Sequence, residues 1–154
     1  MTHNDVVTAL AELVRPLTFT DASGKTAQFK DVYLNCRPRD FVRPSALSQF
    51  VGAEFKPFTG VSDLCAARYA VTVFVDVDER YQTHFLTLNA ATEAVAGLFL
   101  GRYITVGERC PHVTGVALDP QYDYAAVTVT LEYEVEAVTP EESPILEHYD
   151  LVVT

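Results

Sequence analysis

Residues 68–78, RYAVTVFVDVD, and residues 124–138, YAAVTVTLEYEVEAV, decide the fold, because apolar side chains alternate with other side chains along both of them. Such alternation is typical of a β-strand that buries one face. Between the two stretches, the segment from Thr87 to Gly101 carries apolar residues at helical spacing. Thr87 or Asn89 is suited to cap this helix, and Gly101 to end it. The order predicts an α+β fold, in which a mainly antiparallel sheet packs against two α-helices.

The first of these helices is predicted from Asn4 to about Arg15, with an apolar stripe along one side. Asn4 or Thr2 can cap its first turn, because a short polar side chain accepts hydrogen bonds from the unpaired amides there. Pro16 ends the helix, since a proline has no amide hydrogen to donate. Short strands are further predicted at residues 17–20, 28–34, 102–106, 113–118 and 149–153.

A long arm is predicted between these elements, over about residues 35–65. Prolines and glycines interrupt the segment repeatedly, and only residues 45–55 have a pattern that could hold a strand. The segment is also rich in phenylalanine, which disordered linkers avoid. We therefore expect an irregular arm or loop that is ordered against another surface, such as a neighbouring subunit.

The composition limits the class of protein. The chain has 154 residues, a length that predicts a single domain over residues 1–154. Its formal net charge of −10 opposes binding to a phosphate backbone. Its three cysteines form no Cys-x-x-Cys pair, which argues against a disulfide framework. The N-terminus lacks the pattern of a signal peptide, and no apolar stretch reaches the length of a membrane span. We expect synthesis in the host cytoplasm and no membrane contact.

The charges are unevenly distributed along the chain. Arg37, Arg39 and Arg43 lie within seven positions, whereas the last 23 residues contain seven acids and no lysine or arginine. An acidic C-terminal tail is predicted from about residue 139. One interpretation is a solvated strand face followed by an acidic tail. The other is a pair of complementary surfaces on neighbouring copies, which favours head-to-tail contacts.

Candidate chemistry is sparse. Asp76 and Asp78, followed by Glu79, would share a strand face and could bind a cation, but a solvent-facing strand end explains them as well. Cys110 and His112 could ligate zinc, although a structural site needs four ligands. A cysteine–histidine nucleophile stays open, because such partners meet in space and not in sequence. We therefore expect no catalytic residue, no cofactor and no metal site.

The segment NCRPRDFVRPSALSQFVG, residues 35–52, carries a family resemblance. With a short helix before it and a strand–helix–strand unit after it, the chain resembles the tail terminator, or tail completion, proteins of long-tailed bacteriophages and prophages. The Arg43-Pro44-Ser45 element and the order of elements carry the resemblance over nearly the whole chain. The apolar insertion from Gly52 to Cys65 and the acidic tail depart from the family pattern.

The resemblance implies a structural virion protein located in the tail or neck. Such a subunit forms a homo-oligomeric ring, usually a hexamer, which caps the finished tail tube and meets the head-side connector protein. DNA would pass through the ring without sequence-specific binding, and no catalysis is expected. The alternatives are another neck component, such as a head–tail adaptor or stopper, and a small ligand-binding domain or enzyme that uses Asp76, Asp78, His84 or Cys110.

The residues expected to matter are therefore interfacial. The arginines would pair with the acids of the last long strand in a neighbouring copy, and the phenylalanines would anchor the arm. The candidates are Arg37, Arg39, Arg43, Phe41, Phe55, Phe58, Glu132, Glu134 and Glu136.

Overall fold

The computed structural model describes residues 1–77 and 83–136. In chain order the elements are α1 (His3–Val14), β1 (Thr18–Thr20), β2 (Thr26–Gln28), β3 (Asp31–Leu34), β4 (Ser45–Pro57), β5 (Ser62–Phe74), α2 (Thr83–Phe99), β6 (His112–Pro120) and β7 (Tyr124–Glu136). The acidic tail from about residue 139 and the strand predicted at 149–153 lie outside the described residues.

One five-stranded sheet dominates the molecule. Its strand order is β3-β4-β5-β7-β6, and every pairing is antiparallel except that of β3 with β4. Strands β1 and β2 form a separate two-stranded antiparallel sheet. Two helices and a mainly antiparallel sheet confirm the predicted α+β class.

The first helix begins with a capping box. The hydroxyl of Thr2 accepts a hydrogen bond from the amide of Asp5, and the Asp5 carboxylate accepts one from the amide of Thr2. These reciprocal bonds satisfy amides that have no partner inside the helix, which explains why the helix begins at His3. Its buried stripe comprises Val6, Val7, Leu10, Ala11 and Val14.

The second helix begins four residues before the predicted start. Thr87, predicted as an N-cap, lies inside the helix, and its hydroxyl accepts a hydrogen bond from the amide of Ala22 at 2.9 Å. The cap prediction for Thr87 and Asn89 is therefore wrong, because α2 already runs through both positions. Gly101 follows the helix with a φ of 64°, the left-handed conformation expected of a residue that ends a helix.

Both helices pack on the same face of the large sheet and build one core. Helix α1 lies over β3 and β4, whereas α2 lies over β7, β6 and the small sheet. Residues from every element of the large sheet join the helices in this core, among them Val32, Ala46, Val71, Val129 and Val113. Neither described helix is long and apolar enough to cross a membrane.

The predicted irregular arm is wrong over most of its length. Residues 35–44 and the turn at 58–61 lack a strand, whereas β4 and β5 fill the remainder with a long hairpin. The strand predicted as possible at 45–55 is confirmed as part of β4. Gly52 lies beside a bulge that leaves Val51 out of the strand ladder, and Pro57 stands at the end of β4. Gly52 and Pro57, which were predicted to interrupt regular structure, therefore mark a bulge and a strand end. The strand predicted at 102–106 is reduced to isolated bridges at Tyr103 and Val106.

Two leucines of α1, Leu10 and Leu13, test this packing. Leu10 is fully buried, whereas Leu13 is exposed. We expect Leu10→Ala to lower the free energy of unfolding by about 2–5 kcal/mol, because it removes contacts and leaves a cavity. Leu13→Ala should change it by less than about 1 kcal/mol. Urea unfolding measures both, and equal effects would contradict the packing of α1.

Candidate assembly surface

The three longest strands extend past the helices and form a surface that we call the blade. It comprises residues 50–57 of β4, 62–69 of β5 and 129–136 of β7, which pair with one another. Phe55 lies on the same sheet face as Ala46, which the helices bury completely, yet Phe55 is 58% exposed. The cover provided by the helices thus ends before the blade does.

The blade has an apolar face, which carries Phe50 and Phe55, and an apolar tip, which is the turn that carries Phe58 and Val61. Five large apolar side chains of the β4–β5 hairpin are exposed to solvent, namely Phe50, Val51, Phe55, Phe58 and Val61. Two of them, Phe55 and Phe58, belong to the predicted interface. An exposed cluster of this kind is the usual mark of a surface that meets another molecule.

The opposite face of the blade is charged. Glu132, Glu134 and Glu136 alternate along β7 on the face away from the helices, and Glu54, Lys56 and Arg68 occupy the same face of β4 and β5. Glu132 is half-buried and the other five are exposed. Among the described residues, no ion pair involves any of these six side chains. The blade therefore presents two faces of different chemistry.

The side chain of His3 ties α1 to the base of the blade. A ring nitrogen of His3 lies 2.7 Å from the hydroxyl of Tyr69, and the ring of His3 stacks on Phe50 at 3.9 Å. Tyr133 pairs with Cys65 across the β5–β7 ladder. Burial raises the pKa of Tyr69 to about 12 and raises the pKa of Tyr133 well above its ordinary range.

The raised pKa of Tyr69 predicts a loss of stability in alkali. Because the native phenol holds its proton up to a pKa of about 12 and the unfolded phenol only to 10.0, the native state binds more protons in that interval. The free energy of unfolding should therefore fall as the pH rises from 10 to 12. In Tyr69→Phe the fall should be smaller. Urea unfolding across this pH range measures it, and identical slopes in the two proteins would contradict the argument.

Residues 35–44, which we call the basic loop, fold over the other end of the same charged sheet face. The ring of Phe41 lies 4.9 Å from that of Phe74, and the guanidinium of Arg37 lies 4.0 Å from the centre of the Phe41 ring. Phe41 is half-buried by these contacts. Phe41 is thus anchored by ring contacts within its own chain. Phe55 and Phe58 make no such ring contact with any of the described residues.

Arg43 holds the basic loop to the body of the protein. Its guanidinium donates a hydrogen bond to the carbonyl of Val75 at 2.9 Å and lies 3.6 Å from a carboxylate oxygen of Asp123. Arg39, by contrast, is exposed and has no hydrogen bond or ion pair within the described part of the chain. The three arginines therefore differ in role: Arg43 is structural, Arg37 stacks on Phe41, and Arg39 is exposed to solvent.

The predicted acceptors lie far from the arginines in the same molecule. Phe74, beneath the basic loop, and Ala66, the neighbour of Glu132, are eight positions apart on β5, or about 26 Å along a strand. Arg39 forms no ion pair with Glu132 or Glu134 within the described residues of one copy, so the predicted pairing would be between copies. It stays a prediction.

The contrast between Arg43 and Arg39 gives a matched test. We expect Arg43→Met to lower the free energy of unfolding by about 1–3 kcal/mol, because a carbonyl and a carboxylate lose a charged donor. Arg39→Met should change it by less than about 0.5 kcal/mol, as is usual for an exposed side chain without partners. Thermal and urea unfolding of both variants check this, and an equal loss would mean that Arg39 has an internal role.

The chemical candidates remain dispersed. Cys110 and His112 are both exposed, and the ring of His112 stacks on that of Tyr103 at 4.6 Å. Within the described ranges, no three histidine, cysteine or acidic side chains are close enough to hold a metal ion. His84 is buried, with a ring nitrogen 3.0 Å from the carbonyl of Tyr122. Asp76 is exposed, and Asp78 and Glu79 lie outside the described residues.

No protein-family model matches the chain, and no curated protein matches it. Among solved structures, the chain is similar to one in the structure described as the virion of a native gene transfer agent (GTA) particle. The two share 12% sequence identity with a TM-score of 0.49, over 86% of this chain and 95% of that chain.

Sequence reasoning missed part of this surface. Phe50, Val51 and Val61 are also exposed but were not predicted as interface residues. The bulge at Val51 breaks the alternation around Phe50 and Val51, and Val61 lies in the turn between the strands, which has no periodic pattern. The link between Arg43 and Asp123 spans 80 positions, and no local pattern indicates it. The clustering of phenylalanines between residues 41 and 58 was the available signal.

Proposed function

We propose that this protein is a structural subunit of a phage or prophage virion that acts as a tail terminator. Copies of the chain would form a ring, for which a hexamer is the expected size, at the end of the tail tube. The ring would stop tube growth and meet the head-side connector. The protein acts in this proposal by assembly, without catalysis.

The observation that carries the proposal is the exposed apolar face of the blade. Complete burial of a phenylalanine or valine side chain contributes about 1.5–3 kcal/mol. Phe55, Phe58 and Val61 leave most of that contribution unused in a single copy, because each is more than half exposed. A stable monomer gains nothing from such a surface, whereas a subunit that docks on a neighbour or on a tube end buries it.

The charge of the chain fits the same role. A net charge of −10 repels DNA, so a ring of such subunits would let DNA pass without retaining it. The resemblance to tail terminators, which depends on the Arg43-Pro44-Ser45 element and on the order of helices and strands, supports the terminator in particular over other assembly proteins.

The test is whether the blade is needed for assembly. Light scattering over a concentration series gives the mass of the particle, and negative-stain images show whether it binds purified tail tubes at their ends. We expect wild-type protein to form a ring, in solution or at tube ends, and to prevent tube elongation. The variant Phe55→Ser/Phe58→Ser should remain folded, because both side chains are exposed, and should weaken ring formation at least tenfold.

The matched control is Leu86→Ser. Leu86 on α2 is 61% exposed, similar to the 59% of Phe58, but lies outside the blade, and its replacement should leave assembly unchanged. A wild-type protein that stays monomeric and ignores tube ends would refute the proposal. Binding to the connector without binding to tubes would instead favour a head–tail adaptor or stopper.

A further inference from the structure

We infer that the basic loop of one copy docks on the charged face of the blade of the next copy, so that the ring closes through one repeated head-to-tail contact. This inference rests on the proposed ring, and it names the two surfaces that meet. The partner is a second copy of this chain, and the recognition is between the guanidinium groups of Arg37 and Arg39 and the carboxylates of Glu132 and Glu134.

The position of the two surfaces supports this assignment. Both lie on the sheet face that the helices leave uncovered, and they occupy opposite ends of that face. Because about 26 Å of strand separates them, they cannot meet within one molecule. Two unlike surfaces on one chain produce a heterologous contact, and repetition of such a contact generates a closed ring when the rotation between copies permits it.

The charges of the two surfaces are complementary. The charged face has four carboxylates, Glu54, Glu132, Glu134 and Glu136, against the two cations Lys56 and Arg68. A third cation, Arg109, donates a hydrogen bond to the carbonyl of Glu134 at the edge of this face, so the net charge is 3 − 4 = −1. The basic loop has three arginines against one acid, Asp40, for a net charge of 3 − 1 = +2.

The basic loop is held in position to present these charges. Arg43, bonded to Val75 and Asp123, and the stacking of Phe41 on Phe74 fix the end of the loop that returns to β4. Arg39 remains exposed beside them, and Val42 adds an exposed apolar side chain. A loop fixed in this way loses little conformational entropy when it binds.

These ion pairs set the direction of the contact more than its strength. Exposed pairs stabilise weakly and are screened by salt, whereas like charges brought together are excluded. Burial of the loop's Val42 would add affinity at this contact, and the charged pairs would decide which end of the neighbouring copy is accepted. Assembly should therefore weaken as the salt concentration rises.

The test is a charge exchange between two variants. One carries Arg37→Glu/Arg39→Glu and the other Glu132→Arg/Glu134→Arg. In each variant alone, the loop and the blade have charge of the same sign, so ring formation should weaken at least tenfold, in solution or at tube ends. In an equimolar mixture, each loop finds a blade of opposite charge, and a ring of alternating copies should form again.

Two controls separate this contact from changes in folding or in net charge. Lys25→Glu/Lys30→Glu alters the net charge as much as the arginine variant does, at exposed positions outside the basic loop, and should leave ring formation unchanged. Arg39→Glu alone removes no contact within the described part of the chain, and should reduce assembly while the urea midpoint stays at its wild-type value.

The outcomes distinguish the inference from the proposed function. If the arginine variant still forms rings and caps tubes, or if the mixture fails to recover them, the docking of loop on blade is wrong and the terminator proposal stands. If the arginine variant forms rings but changes the passage or retention of DNA, the loop faces DNA, which also overturns the inference. If wild-type protein neither associates nor binds tubes, both fail.

Discussion

The structure depends on a mismatch in length between its strands and its helices. Strands β4, β5 and β7 each have 13 residues, about 43 Å of extended chain, whereas α1 has 12 residues and α2 has 17, about 18 and 26 Å. Helices of these lengths cannot cover the whole apolar face of such a sheet. The uncovered remainder is the blade, and it is where the chain has apolar side chains that its own fold does not use.

The two ends of the sheet are specialised in different ways. At one end the basic loop closes over Phe74, so that β5 is buried on both faces and contributes to a rigid body. At the other end the strands continue without cover, stiffened only by their pairing and by the contacts of His3, Tyr69 and Tyr133 at the base. A rigid body with an exposed projection at one end is an arrangement suited to ordered assembly, because the projection reaches a neighbour without rearrangement of the core.

Sequence patterns predicted the parts of the fold that depend on local periodicity. The stripe of α1, the second helix and the alternation of β7 were each visible within one segment, and so the α+β class could be predicted. The hairpin of β4 and β5 could not, because its pairing is non-local and Gly52 and Pro57 resemble loop residues. Phe55 and Phe58 do lie on an exposed surface, and their role at an interface stays a prediction. The internal role of Arg43 depends on Asp123, 80 positions away, which no pattern within one sequence indicates.

The bulge at Val51 controls which chemistry each face of the blade presents. With Val51 outside the ladder, Gly52 pairs with Arg68, and Phe55 shares the apolar face with Phe50 although five positions separate them. If Val51 entered the ladder, each side chain from Gly52 to Pro57 would turn to the other face. Phe55 would then stand among the carboxylates and Glu54 beneath the aromatic rings. The insertion of one residue thus decides which side chains lie on each face of the blade. A length change in the turn at the tip would leave these faces as they are, whereas a change of one residue between the bulge and that turn would exchange them.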